Sequence, residues 1–140
     1  IKGQSMDITI SNSSKPGITE VIALYKVLKW SAAEKPELLY KALMNSHTLT
    51  TARDDGKLVG IGNAISDGHL VVYYPHLLVH PDYQGNGIGQ MIMEEMFKTY
   101  KGFHLLMLTA DGKAIDFYSK MGFEKAGDTV LMWIYEGDEH

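Results

Sequence analysis

A glycine-rich hexapeptide at residues 84–89 stands between a strand-like run and a helix-like run. The apolar run Leu77-Leu78-Val79 precedes it, and apolar residues at helical spacing follow it. The glycines therefore open a helix. A helix start carries backbone N–H groups without intrahelical partners and the positive end of the macrodipole, so it stabilises an anionic group. The pattern predicts a phosphate-binding turn.

The hexapeptide has three other interpretations. A dinucleotide-binding turn has its glycines in a different order, and a Walker loop needs a lysine followed by serine or threonine, which is absent here. An ordinary tight surface turn remains open on the hexapeptide alone. The strand before it and the helix after it favour the phosphate-binding interpretation.

Composition limits the function classes. The 140 residues are 45% hydrophobic, which predicts one domain, expected over residues 6–135. A net charge of -4 disfavours a nucleic-acid partner. The chain has no cysteine, which excludes disulfides and a cysteine nucleophile and is compatible with a cytoplasmic location. No run approaches the roughly 18 apolar residues of a membrane span, so no membrane partner is expected.

The ends of the chain are expected to lie outside the domain. Residues 1–5, ahead of Met6, are interpreted as an expression remnant, and residues 136–140 as an acidic tail.

Periodicity predicts the order of the elements. Met6 to Ile10 alternates like a strand, and two helices follow, the second starting at Pro36. Three antiparallel strands come next, over His47–Arg53, Lys57–Ser66 and Leu70–His80, with turns between them. Pro75 interrupts the third strand, and because proline cannot donate to a ladder, we expect a splay there.

The second half alternates helices and strands. A helix should run to about Lys101, followed by a strand over His104–Thr109 and a helix over Lys113–Met121. The turn Gly127-Asp128 should then lead into a last strand over Thr129–Tyr135, which is rich in β-branched and aromatic residues.

Two motifs in this order resemble the GNAT superfamily of N-acetyltransferases, which transfer acetyl from acetyl-CoA to amines. The first is Leu77-Leu78-Val79-His80-Pro81 running into Gln84-x-x-Gly87-x-Gly89, and the second is residues 114–123 after a strand. The resemblance covers about Leu70 to Tyr135. Residues Asp111, Phe117-Tyr118, Gly122-Phe123 and Met132-Trp133 are most similar to the branch of plant-type serotonin N-acetyltransferases and their bacterial relatives.

The resemblance implies a mixed α/β fold and a set of cofactor contacts. The fold is a mostly antiparallel, twisted sheet of about seven strands with a splayed central strand, flanked by about four helices. The cofactor is acetyl-CoA, with its pyrophosphate at the loop and its pantetheine arm along the splayed strand. The implied cofactor-binding residues are Leu77, Leu78, Val79, Gln84, Gly85, Asn86, Gly87, Ile88, Gly89, Gln90, Asp111, Ala114, Phe117, Tyr118 and Lys120.

Two of these positions carry weaker expectations. Family members usually have asparagine where this chain has Asp111, and an aspartate keeps the acceptor oxygen but loses the amide donor. Lys120 could reach the 3′-phosphate of the cofactor, although a solvated helix lysine is the ordinary role for such a residue.

The resemblance also implies a catalytic acid. Tyr118 matches a family tyrosine, and a phenol is protonated at pH 7 and can protonate a departing thiolate. The alternative role is a core tyrosine on an apolar helix face. We expect His76 to act as the base. His76 and His80 would lie about 13 Å apart on an extended strand, so they cannot share a metal ion, and no metal site is predicted.

The acceptor is expected to be a primary amine on a small molecule. Trp30, the second helix and Tyr73-Tyr74 would line its side of the site in this family, and their aromatic character favours an aryl-alkyl amine. With no cysteine, acetyl should pass directly to the amine in a ternary complex. The main alternative is a non-catalytic acyl-CoA-binding sensor or scaffold, a third is a nucleotide-binding regulatory domain, and a homodimer remains open.

Overall fold

A computed structural model describes residues 6–137. Residues 1–5 and 138–140, which include the predicted remnant and most of the predicted tail, lie outside the described residues. The helices and strands in chain order are β1 Ile8–Ser11, α1 Ile18–Val27, α2 Pro36–Met44, β2 Thr48–Asp54, β3 Lys57–Ser66, β4 Val71–Tyr73, β5 Leu77–Val79, α3 Ile88–Thr99, β6 Leu105–Met107 and α4 Ala114–Ser119.

The sheet is mixed and mostly antiparallel, as predicted. Its order is β1-β2-β3-β4-β6, with β5 paired to β3 as well, and only the β4–β6 pair is parallel. The long strand β3 changes partner along its length. Residues Gly60–Gly62 pair with β5, and Ile65 and Ser66 pair with β4. The residues between β4 and β5 contain Pro75, so the predicted splay at this proline is confirmed.

Each face of the sheet carries its own apolar core. Helix α3 packs on one face against a cluster that includes Val59 and Tyr74, and α1 and α2 pack on the other against Ile61 and Leu78. Strand β3 contributes to both cores: Ile61 and Ala64 face opposite sides by the alternation of side chains along a strand. A β-bulge at Val59, where the β2–β3 register shifts, interrupts this alternation and places Val59 on the α3 side although it is two residues from Ile61. The site described below lies where this two-sided sheet opens.

Two glycines in β3 let α3 approach the sheet closely. A Cβ at Gly62 would lie 2.7 Å from Ile92 Cγ2 and 2.9 Å from Met96 Cε. A Cβ at Gly60 would lie 2.9 Å from Ile92 Cδ1 and 3.3 Å from the Leu78 carbonyl oxygen. The sequence analysis did not anticipate this contact, which fixes the position of α3 and therefore of the glycine loop at its start.

An ion pair connects the start of α1 to the sheet. Glu20 accepts two hydrogen bonds from the Arg53 guanidinium on β2, at 2.6 and 2.9 Å, and one from the Gly17 N–H at 2.8 Å. The Arg53 guanidinium and the Gly17 N–H hold the pKa of Glu20 below its usual value. Pro36 occupies the first turn of α2, as predicted.

The prediction of a last strand over Thr129–Tyr135 is wrong. A turn forms at Gly127, whose φ is 66°, but the residues after it lie outside the sheet, which has six strands instead of about seven. The Tyr135 hydroxyl lies 3.0 Å from Ser31 Oγ, and the Trp133 and Tyr135 rings stack at 4.8 Å. The contact between Tyr135 and Ser31 ties the end of the segment to the turn after α1.

Replacing Gly62 by alanine should overpack the α3 contact and lower the free energy of unfolding by about 1–3 kcal/mol. Chemical denaturation measures this cost. In an Ile92→Ala background the nearest clashing methyl is gone, so the same substitution should cost clearly less. An equal cost in both backgrounds would contradict the close contact between β3 and α3.

Candidate active site

The glycine loop has the backbone geometry of an anion cradle. Gly85 and Gly87 have φ values of 82° and 80°, in the left-handed region that favours glycine. Gly87 is the N-cap of α3, and the first intrahelical bond runs from the Met91 N–H to the Gly87 carbonyl at 3.0 Å. Among the described residues, no atom lies within 4 Å of a Cβ built on Gly85 or Gly87. A pyrophosphate therefore fits this loop.

The polar side chains of the loop bind its own carbonyls. Asn86 Nδ2 donates to the carbonyls of Tyr83 and Gln84 at 3.0 and 3.2 Å, and Gln84 Nε2 donates to the Val79 carbonyl at 3.0 Å. These bonds shape the loop without using its backbone N–H groups. The N–H groups at the start of α3 are therefore left for a ligand.

A short turn before the loop anchors it to the sheet. The segment Pro81–Tyr83 forms a single 3-10 turn, and His80 Nδ1 accepts from the Asp82 N–H at 3.1 Å. The Tyr83 side chain is buried and its hydroxyl donates to Asp54 Oδ2 at 2.7 Å. This bond lowers the pKa of Asp54, together with the stronger effect of the Asp7 N–H. Sequence reasoning missed this anchor because Asp54 and Tyr83 are distant in sequence.

Strand β5 presents its second backbone edge to the opening, where the Val79 carbonyl also accepts a hydrogen bond from Gln84 Nε2. The bonds to β3 are made by His76 and His80, which flank the strand. Because antiparallel bonding alternates along a strand, the backbone groups of Leu77 and Val79 point away from β3. That edge faces the gap created when β4 turns to pair with β6. An extended ligand with amide groups can add to it as a further strand would.

Leu78 is removed from the predicted cofactor-binding set. It pairs with Ile61 of β3, and its side chain is 2% exposed in the core beneath α1 and α2. The period-2 geometry of a strand places it opposite to its two neighbours. Only Leu77 and Val79 can therefore contribute to the edge.

Helix α4 meets the loop through Phe117. The ring atom Cζ of Phe117 lies 3.3 Å from the position of a Cβ on Gly89, and Val79 Cγ2 lies 3.7 Å from it. The Phe117 ring thus reaches the start of α3, close to β5. This contact brings the second sequence motif against the first.

Tyr118 is half-buried at the edge of the core under α3. Its ring packs between Phe117 and Phe123, with centroid distances of 5.0 and 5.8 Å. Burial raises the pKa of Tyr118 to about 12, so its hydroxyl keeps its proton at neutral pH. It can serve as a proton or hydrogen-bond donor.

The other predicted site residues near α4 lie at its first residue or just outside the helix. The backbone carbonyl of Asp111 accepts from the Ala114 N–H at 2.8 Å, which starts the helix. The side chains of Asp111 and Lys120 are exposed, and Ala114 is half-buried. The structure thus gives the backbone of Asp111 a role in starting the helix.

His76 lies on the opposite face of the sheet from Tyr118. Its Nδ1 is 2.7 Å from the Tyr25 hydroxyl, and its ring lies 4.9 Å from that of Trp30. Asn63 makes two hydrogen bonds to the backbone of His76, both at 3.1 Å. The Asn63 N–H donates to the His76 carbonyl, and the His76 N–H donates to Asn63 Oδ1. Burial raises the pKa of Tyr25 far above its usual value, so this phenol stays neutral.

The expectation for Tyr74 was wrong. Its ring is buried under α3 against Phe97, Tyr100 and Phe123, so it cannot line an acceptor site beside His76. Tyr73 is half-buried on β4. Adjacent strand residues face opposite sides of the sheet, which separates these two tyrosines.

Within residues 6–137, no group of three or more histidine, aspartate or glutamate side chains is placed to hold a metal ion. None of the helices found in that range is long and apolar enough to cross a bilayer.

The chain is similar to known acetyltransferases. Residues 45–125 match the family model described as an acetyltransferase (GNAT) domain. A solved GNAT-family acetyltransferase from Streptococcus pneumoniae is 30% identical, with a TM-score of 0.81, and the match covers 93% of this chain and 99% of that one.

Further relatives extend this likeness. An uncharacterised N-acetyltransferase from Porphyra purpurea is 28% identical over 134 residues, covering 91% of this chain and 77% of that protein. A chloroplastic GCN5-related N-acetyltransferase from Arabidopsis thaliana is 32% identical over 74 residues, 51% of this chain and 29% of that protein. An aminoglycoside N-acetyltransferase solved with CoA shares the fold at 14% identity and a TM-score of 0.71, covering 97% of this chain and 99% of that one.

Gly87→Val should abolish measurable binding of acetyl-CoA, because the added side chain fills the cradle and strains a left-handed residue. Isothermal titration calorimetry on the folded variant measures this. Gly56→Val is the matched control, since Gly56 has a φ of 90° and open space around it but lies in the β2–β3 turn. Unchanged acetyl-CoA affinity in Gly87→Val would remove the loop from the site.

Proposed function

Since this chain belongs to the GNAT family of acetyl-CoA-dependent N-acetyltransferases, we propose that it acetylates the primary amine of a small molecule. The amine attacks directly in a ternary complex. One observation carries the proposal: the sheet opens at Pro75, with the anion cradle and Tyr118 on one side and the aromatic cluster around His76 on the other. We propose that residues 6–135 form this one domain and that it works in the cytoplasm.

The chain's own groups suit each part of the cofactor. The backbone N–H groups of Gly87–Gln90 would hold the pyrophosphate, and the backbone of Leu77 and Val79 would pair with the amides of the pantetheine arm. When bound, acetyl-CoA supplies a thioester with an electrophilic carbonyl carbon and a thiolate leaving group. Phe117 would cover the point where the two meet.

Tyr118 is proposed as the donor to the departing sulfur. In the overall transfer a C–N bond forms and a C–S bond breaks, while the nitrogen loses one proton and the sulfur gains one. The Tyr118 phenol is protonated across the physiological range because burial raises its pKa to about 12. It can therefore offer a hydrogen to charge that develops on sulfur.

His76 is proposed to take the proton of the amine at Nε2. That role requires the lone pair on Nε2, so Nδ1 must carry the proton and donate to the Tyr25 oxygen. The 2.7 Å contact between Nδ1 and the Tyr25 hydroxyl can supply this bond. In the other tautomer Tyr25 donates to Nδ1, and Nε2–H cannot accept a proton.

The walls on this side favour an aromatic amine. The rings of Tyr25, Trp30 and His76 meet edge to face at centroid distances of 4.9 to 5.8 Å. Such a cluster offers apolar and π surface to an aryl group, and the half-buried Trp30 and His76 flank the opening.

An amine panel tests the proposed function. Purified protein is incubated with acetyl-CoA and one amine at a time, and released CoA thiol is detected. Tryptamine, serotonin and phenylethylamine should be acetylated faster than putrescine or a lysine-containing peptide. Turnover confined to the peptide would overturn the small-molecule assignment, and acetyl-CoA binding without turnover of any amine would favour the sensor.

Tyr118→Phe should lower kcat on the order of 100-fold, because it removes the donor while it keeps the ring packing. The affinity for acetyl-CoA should change little. Tyr100→Phe is the control, since it removes a buried phenol that bonds His47 and Thr48 and lies outside the opening. Wild-type turnover by Tyr118→Phe, measured with an amine that the parent accepts, would exclude Tyr118 as the donor.

Tyr25→Phe should shift the acidic limb of the kcat/KM profile to lower pH. If the Tyr25 oxygen accepts from Nδ1–H, it stabilises the protonated imidazole, and its loss makes His76 easier to deprotonate. A shift to higher pH would show instead that Tyr25 donates to Nδ1, which contradicts the base assignment. Use of one amine for both proteins keeps the ionisation of the substrate identical, and His76→Gln should remove this limb.

A further inference from the structure

Asn63 is a buried side-chain amide on β3, at the point where this strand changes partner. It is 4% exposed and lies between Gly62, which pairs with β5, and Ile65, which pairs with β4. Burial of an amide destabilises a fold unless its polar atoms find hydrogen-bond partners. An asparagine at this position is therefore accounted for by the bonds that its side chain makes.

The Asn63 side chain takes part in the backbone bonding of the sheet. The Asn63 N–H donates to the His76 carbonyl at 3.1 Å, as in a hydrogen-bonded antiparallel pair. The second bond of a regular pair would run from the His76 N–H to the Asn63 carbonyl. Here the His76 N–H donates to Asn63 Oδ1, at 3.1 Å. The position of the His76 backbone therefore depends on the Asn63 side chain.

A bulge lies directly before His76. The pairs on either side of it leave two residues, Tyr74 and Pro75, opposite Ala64 alone. A bulge bends the strand and re-aims the side chains beside it. Among the described residues, the bonds to Asn63 are the first backbone bonds after this bulge, so they decide where the His76 side chain stands.

The other end of the Asn63 amide reaches α2. Asn63 Nδ2 donates to Ser46 Oγ at 3.0 Å, and Ser46 Oγ donates to the Ala42 carbonyl in the last turn of α2, also at 3.0 Å. The amide oxygen and the amide nitrogen are thus both used. A chain of hydrogen bonds runs from the His76 N–H through Asn63 and Ser46 to the helix, and each bond in such a chain polarises the next.

The His76 ring is held separately, by α1 and the turn after it. Its Nδ1 lies 2.7 Å from the Tyr25 hydroxyl, and its centroid lies 4.9 Å from that of Trp30. A hydrogen bond of this length weakens steeply when its distance or angle changes. The contact between Tyr25 and the ring therefore requires that the backbone of His76 stays in place.

We propose that Asn63 is the positioning residue of His76. Its amide ties the backbone of His76 to the end of α2, so that the imidazole stands where Tyr25 can fix its tautomer. Asn63 is buried, so it acts through His76 and not on the substrate. For catalysis this inference rests on the proposed function of His76 as base, whereas the placement of the ring does not.

Nuclear magnetic resonance measures the placement of the ring without substrate. Asn63→Ala should change the imidazole ¹⁵N chemical shifts of His76 and weaken its nuclear Overhauser contacts to Tyr25 and Trp30. Thr50→Val is the matched control, because Thr50 is 0% exposed on β2 and its hydroxyl bonds the residue after β1, at the outer edge of the sheet. It should leave the His76 signals unchanged. Unchanged His76 signals in Asn63→Ala would overturn the proposal.

Ser46→Ala tests the link to α2 with a milder change. It removes the acceptor of Asn63 Nδ2 and keeps the bond between Asn63 Oδ1 and the His76 N–H. The His76 signals should shift in the parent background and show no further shift in an Asn63→Ala background. An equal shift in both backgrounds would contradict the chain of bonds. If Asn63→Ala does not fold, unchanged His76 signals in Ser46→Ala overturn the proposal.

Turnover separates this inference from the assignment of the base. With an amine that the parent accepts, Asn63→Ala should lower kcat on the order of 10-fold, because the base is misplaced, while acetyl-CoA affinity and the kcat of Thr50→Val stay at the parent values. Shifted His76 signals with parental turnover would support the role of Asn63 and overturn His76 as the base. Unshifted signals with lowered turnover would overturn the role of Asn63 and leave the base assignment intact.

Discussion

The change of partner along β3 is the constraint on which the rest of the structure depends. Pro75 cannot donate a ladder bond, so β4 and β5 cannot continue as one strand. Asn63, 4% exposed on β3, bridges the break by binding the backbone of His76 with both its main chain and its side chain. Its Nδ2 also donates to Ser46 Oγ at 3.0 Å. The opening is thus held by buried, satisfied polar bonds and does not depend on a flexible loop.

Features with local causes could be predicted from the sequence. The glycine loop, the start of α3 and the break at Pro75 each follow from residues within a few positions of one another. The contacts that position the site could not be predicted, because they join residues far apart in the chain. These contacts are Tyr25 with His76, Asp54 with Tyr83, and Gly62 with Ile92. The sequence did not show on which face of the sheet the side chains of Leu78 and Tyr74 lie. Strand alternation determines the face only once the register of the strand is known.

The C-terminal segment shows why strand propensity is a weak guide by itself. Its β-branched and aromatic residues fit a pleated, half-buried surface, but a strand exists only where an edge accepts its backbone bonds. Here the Tyr135 hydroxyl contacts Ser31 instead, and the segment pairs with no strand among the described residues. Strand propensity therefore predicts the capacity for a strand, and an available edge decides whether the strand forms.

The burial that keeps Tyr118 protonated also limits what it can do. Its pKa of about 12 lies above that of an ordinary thiol, about 8.5, so full proton transfer from the phenol to a thiolate is unfavourable in the resting site. In the proposed mechanism the phenol would act first as a hydrogen-bond donor to charge that develops on sulfur, and its proton would cross late. Because His76 lies on the other face of the sheet, the proton lost by the amine and the one gained by sulfur would then travel through separate groups. The proposal therefore depends on the opening at Pro75, where the two faces of the sheet meet.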